Sequence, residues 1–161
     1  EDGIKSLLSL KEDFNVNEVE YINQIHSDKV YIYKKGEKNF IEHEGDGIVT
    51  NEKSTIIGAF TADCVPVILI DEVNNVIAAV HSGWKGTFNS ISARAVEKMI
   101  NKFNEIPCDN LFDGRNLSME LCIEDDLKKI GLNEQNIYSL KLCTHCEKEN
   151  NKFSYRASNL A

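Results

Sequence analysis

Several things are scarce in this chain, and each scarcity excludes something. Two prolines and nine glycines in 161 residues exclude a collagen-like repeat or a Pro/Gly-rich low-complexity segment. No run approaches the roughly 20 apolar residues of a membrane-crossing helix, so no membrane partner is expected. Basic residues are outnumbered 18 to 26, for a net charge of −8. A nucleic-acid binder needs the opposite, a basic face that displaces counterions from phosphates. A small anionic ligand stays compatible, because a few local cations can dominate one site. Histidines number only four, too few for several clustered metal centres.

What is present is a soluble, globular composition: 42% hydrophobic and 27% charged residues. The length suits one domain and can bury about 70% of the unfolded surface, so we expect a single domain over 1–161. The five cysteines, Cys64, Cys108, Cys122, Cys143 and Cys146, are an odd number, and a complete disulfide framework would leave one over. With no apolar leader in EDGIKSLLSLKEDFN, reduced thiols and a cytoplasmic location are expected. The abrupt ends suggest a trimmed chain.

Periodicity predicts a short first helix in IKSLLSLKEDFNV, then strands over 19–25 (VEYINQI) and 30–33 (VYIY). A polar loop leads to three apolar runs, 55–60 (TIIGAF), 65–70 (VPVILI) and 76–80 (VIAAV), with Asn74-Asn75 as a turn. Continuous apolarity suggests strands covered on both faces. Phe88, Ile91, Ala95, Val96, Met99, Ile100 and Phe103 form one stripe of a helix over 87–103, with Thr87 or Asn89 as its cap. A second helix is expected over 118–130, with Leu121, Cys122, Leu127 and Ile130 inward and Gly131 ending it. Residues 137–142 and 152–155 are closing strand candidates. The order gives a mixed α/β fold with sheets packed between helices.

Three candidate ligands stand where strands meet loops: His26, Cys64 and His81, spaced 38 and 17 residues apart. Two imidazoles and a thiolate suit zinc, and three protein ligands leave a fourth position open, the catalytic pattern. Hydrogen-bonded histidines and a buried thiol account for the same residues without a metal. Cys64 and His81 also permit a thiolate–imidazolium nucleophile, with Asp63 to orient the imidazole. The turn His81-Ser82-Gly83-Trp84-Lys85-Gly86 ahead of a helix could receive an anion, aided by Lys85. Cys143-Thr144-His145-Cys146 reads as packing thiols beside a turn, and His43 in EHEGDG as a solvated side chain.

QIHSDKV, DGIVTN with TADCVPVILID, AAVHSGWKG with its helix, and LCTHC with KFSYR occur in an order that resembles the multicopper-polyphenol-oxidase-like family. It is also known as the laccase-domain, YfiH or peptidoglycan-editing-factor family. The resemblance covers roughly 19–103 and 121–155. It implies a YfiH-like layered sandwich and a metal site of His26, Cys64 and His81. It also implies a zinc-dependent purine nucleoside phosphorylase acting on adenosine, inosine, guanosine and methylthioadenosine, with adenosine deaminase activity. Copper is the less favoured metal, because one three-ligand site cannot form a multicopper centre. On this reading the partners are purine nucleosides and phosphate. Lys85 and Arg156 are the candidate phosphate cations, Asp63 is an orienter or proton acceptor, and Trp84 or Phe60 are candidates to stack on the base. Alternatives are a cysteine hydrolase using Cys64 and His81, a copper-dependent polyphenol oxidase, peptidoglycan-precursor editing, or a metal-stabilised binding module. The family's IGPxIGxCCYEV segment has no counterpart between Asn101 and Gly114, so a chain gap is expected there. The sequence leaves oligomeric state open, a monomer included.

Overall fold

In the computed structural model, which describes residues 2–101 and 119–140, the most apolar part of the chain folds back on itself. β5 (Val65–Asp71) and β6 (Val76–Ser82) pair antiparallel, from Val65↔Ser82 to Asp71↔Val76. Asp71 builds the turn: its Oδ1 accepts from the main-chain N–H groups of Val73 and Asn74, each at 3.0 Å. Asn75 follows at φ 54°, a left-handed conformation that asparagine tolerates.

β6 also pairs antiparallel with β3 (Gly47–Thr50), and β3 pairs parallel with β2 (Val30–Ile32). The result is a four-stranded mixed sheet in the order β2-β3-β6-β5. A separate parallel ribbon joins β1 (Glu18–Glu20) to β4 (Thr55–Ile57). Helices α1 (Asp2–Asp13), α2 (Trp84–Phe88), α3 (Ile91–Asn101) and α4 (Met119–Lys129) complete the described elements. The class is mixed α/β, as segment order implies. Among the described residues no helix is long and apolar enough to cross a membrane.

α3 and α4 cover one face of the larger sheet. Ile91, Ala95, Val96 and Met99 of α3 pack with Val30, Val49, Ala78 and Val80, and Ile123 and Leu127 close the layer from α4. Each fully buried aliphatic side chain contributes about 2 kcal/mol through burial. On the other side Ile22, Tyr33, Phe40 and Ile48 form a smaller cluster.

The structure departs from the periodicity in several places. β5 is not covered on both faces: among the described residues it is an edge strand, and Ile68 and Ile70 are 74% and 66% exposed while Leu69 between them is buried. The expected helix over 87–103 is two helices. Gly83, extended at φ −74° and ψ 174°, lets α2 begin at Trp84, and Ser90 at φ 56° breaks the run before α3. Thr87 therefore lies inside α2, 2.9 Å from Ser82 Oγ, and Asn89 ends that helix. Ile100 is exposed, and in α4 Ile123 takes the buried place expected for Leu121. Gly131, at φ 101°, follows α4 as expected. The strand expected over 19–25 shrinks to β1, because the chain after it turns over a buried carboxylate. β3 adds a strand too short to show alternation. Residues 137–140 are irregular. Residues 102–118 and 141–161 lie outside the described residues, and with them the expected gap, Phe103, Cys108, Cys143, His145, Cys146, Arg156 and the strand expected over 152–155.

Candidate metal centre

Asp46 is the residue on which the site is assembled. It immediately precedes β3, and its side chain is closed to solvent. Oδ1 accepts from the main-chain N–H of His26 at 3.0 Å. Oδ2 accepts from the N–H groups of Ile25 at 3.3 Å and Ser27 at 2.6 Å, and from the Ser27 hydroxyl at 2.7 Å. His81 Nδ1 lies 2.8 Å from Oδ1, and the His81 N–H donates to the Asp46 carbonyl at 2.7 Å. Burial alone would raise the Asp46 pKa. The hydrogen bonds from His81, from the Ser27 hydroxyl and from the main chain outweigh it and hold the carboxyl down at about 2.

This network explains the shape of the 25–27 segment. His26 sits at φ 58°, a left-handed conformation costing of order 1–3 kcal/mol. The converging N–H bonds to Asp46 offset that cost. His26 therefore stands in a turn rather than at a strand end. Arg94 ties the same loop to α3: its Nη2 lies 3.4 Å from Asp28 Oδ2, and its Nε donates to the Asn89 carbonyl at 3.0 Å.

The other two candidates arrive from the hairpin. Cys64 directly precedes β5, and His81 lies near the end of β6, buried. Each of His26, Cys64 and His81 offers one ligand atom, and these atoms lie within 4.8 Å of one another. Cys64 Sγ is 3.7 Å from His26 Nε2, and the two imidazoles meet edge to face with centroids 4.7 Å apart. With Nδ1 of His81 donating to Asp46, its Nε2 keeps a lone pair for a ligand. Two imidazole nitrogens and a thiol sulfur at this spacing fit a borderline-soft divalent ion. Among the described residues no other group of His, Cys, Asp and Glu side chains comes together in this way.

The HSGWKG turn has a packing role. A Cβ on Gly83 would lie 2.9 Å from His26 Cδ2 and 3.3 Å from Cys64 Sγ, and one on Gly86 would lie 2.9 Å from the Ser27 carbonyl. Both glycines let the turn close onto the ligand loop. α2 has only five residues, so a strong helix-end anion site is not what the turn provides. Lys85 is exposed, its Nζ 5.5 Å from the Trp84 ring centroid. Asp63 is half-buried beside Cys64, and the carboxylate that holds His81 is Asp46. Sequence reasoning passed over Asp46; its signal was an acid inside the apolar-flanked string GDGIVT. His43 is not simply solvated: Nε2 lies 3.0 Å from Glu37 Oε1 and the ring stacks on Tyr31 at 4.7 Å.

The family model described as multi-copper polyphenol oxidoreductase laccase matches residues 5–112. A purine nucleoside phosphorylase of Clostridium acetobutylicum is 35% identical over 189 residues, spanning 97% of this chain and 78% of the relative. A purine nucleoside phosphorylase of Borreliella burgdorferi is 31% identical over 192 residues, spanning 92% and 82%. In fold the chain is similar to the crystal structure of a hypothetical protein YfiH from Bacillus licheniformis, with TM-score 0.73, 20% identity, and 94% of this chain and 74% of that one covered. YlmD from Geobacillus stearothermophilus gives TM-score 0.73 at 19% identity, covering 94% and 73%.

Proposed function

Since the chain belongs to the multi-copper polyphenol oxidoreductase laccase family, we propose that it is a zinc-dependent purine nucleoside phosphorylase. The observation that carries this reading is the convergence of His26, Cys64 and His81 within 4.8 Å, joined to relatives named for that activity. The proposed substrates are adenosine, inosine, guanosine and methylthioadenosine with phosphate, and adenosine deamination is proposed as a second activity. We place the protein in the cytoplasm.

The number of ligand groups favours a single-ion zinc site over a multicopper one. A multicopper centre needs several ligand groups, and the described residues bring together one. When bound, the ion supplies Lewis acidity at an open coordination position. The protein's own groups do the rest. Asp46 fixes the His81 tautomer and the His26 turn, so both imidazole ligands are positioned before substrate arrives. Lys85 is the proposed cation for phosphate, with Arg156 a second. Phosphate oxygen attacks ribose C1′ as the bond to the purine nitrogen breaks, giving ribose 1-phosphate and free base. Asp63, next to Cys64, is the proposed proton acceptor, taking the proton that phosphate gives up and returning it to the leaving purine nitrogen.

Incubation of the zinc-loaded protein with adenosine and phosphate tests the reading. Adenine with ribose 1-phosphate supports phosphorolysis, and inosine supports deamination. Absence of both products contradicts the reading, and turnover that persists after metal removal contradicts its zinc dependence and favours a cysteine nucleophile.

A further inference from the structure

We infer that Phe60 is the stacking wall for the purine base, a role that rests on the phosphorylase reading above. Three observations place it. Phe60 precedes Cys64 by four residues, so their Cα atoms lie at most about 14 Å apart. Gln24 precedes His26 by two residues, and its amide clamps Phe60 in both directions. Gln24 Nε2 donates to the Phe60 carbonyl at 2.8 Å, and the Phe60 N–H donates to Gln24 Oε1 at 2.7 Å. The clamp joins the two segments that carry His26 and Cys64 and fixes the backbone from which the Phe60 ring projects.

The ring itself is held but not covered. It meets Tyr21 edge to face, centroids 5.3 Å apart, and Phe60 remains 51% exposed. A half-open aromatic ring, held by Tyr21 on a segment tied to that of His26, offers a flat apolar surface already ordered for a flat ligand, which lowers the entropy cost of binding. Trp84 is also exposed, with Lys85 Nζ 5.5 Å from its ring centroid. Phe60 is preferred because Gln24 ties its backbone to the His26 segment. Stacking engages the π-face that every base has and does not read exocyclic groups. Phe60 therefore selects a large aromatic base without choosing among adenine, guanine and hypoxanthine.

Zinc-loaded wild type, Phe60→Ala and Phe60→Trp are compared for zinc content, for the dissociation constants of adenosine and guanosine by calorimetry, and for the KM of nucleoside and of phosphate. Phe60→Ala weakens both nucleosides alike, by about 10-fold, Phe60→Trp restores binding, and zinc content and the phosphate KM stay unchanged. Unchanged nucleoside binding in Phe60→Ala overturns the assignment. So does loss of zinc together with binding, which would make Phe60 a structural residue. If wild type binds nucleosides through Phe60 yet releases no base, the phosphorylase reading fails and the stacking wall stands. A wild type that binds no nucleoside ends both.

Discussion

His81 donates a hydrogen bond from Nδ1 to Asp46 Oδ1 across 2.8 Å, with both side chains shut away from solvent. Asp46→Asn keeps the size of the side chain but turns an amide NH2 toward a set of N–H donors. Zinc affinity, measured by competition with a chromophoric chelator, should fall by roughly 10- to 100-fold. Unchanged affinity would remove Asp46 from any role in setting the ligands.

Gly83→Ala places a methyl 2.9 Å from His26 Cδ2 and 3.3 Å from Cys64 Sγ. The φ of Gly83 is −74°, which alanine adopts freely, so the backbone is not strained by the change. The variant should therefore keep its thermal unfolding temperature to within a few degrees and lose most of its zinc affinity. Equal losses of both would show that the glycine serves the fold and not the site.

These two positions mark how far the sequence could be read. His26, Cys64 and His81 were legible because ligand-type residues stood at the borders between apolar runs and loops, and a sheet gathers such borders. Asp46 was not, because its partners stand 19 to 21 and 35 residues away and only the folded chain brings them to one carboxylate. The apolar stripe of α2 and α3 was legible, but the break between them is a backbone event at Ser90 that side-chain periodicity does not record. The open face of β5 was hidden for a topological reason: a run of aliphatic residues reads alike in a central strand and at an edge.

The edge assignment gives a stability contrast. Ile91, fully buried between α3 and the sheet, should cost about 2–5 kcal/mol as Ile91→Ala. Ile68→Thr, on the open face of β5, should change stability by no more than about 0.5 kcal/mol. Urea unfolding of the two variants checks both. A large loss at Ile68 would mean that its face is covered.

Tyr33 provides a pH signature. It is buried beneath the β1–β4 ribbon's acids, and burial, then the charges of Glu20 and Glu18, push its phenol up to about 12. Because the folded-state value exceeds the ordinary 10.0, folding is favoured fully below pH 10 and loses that contribution as pH rises toward 12. Ultraviolet titration of phenolate should show one tyrosine ionising last, and Tyr33→Phe should delete that step. A last step that survives in Tyr33→Phe contradicts the assignment.

Wild type and Cys64→Ala, analysed side by side for bound zinc and for adenine released from adenosine plus phosphate, test the central claim most directly. Wild type should carry about one zinc per chain and release adenine only with phosphate present, and Cys64→Ala should lose both the metal and the reaction. A Cys64→Ala protein that still phosphorolyses adenosine at the wild-type rate would contradict the assignment of the reaction to this centre.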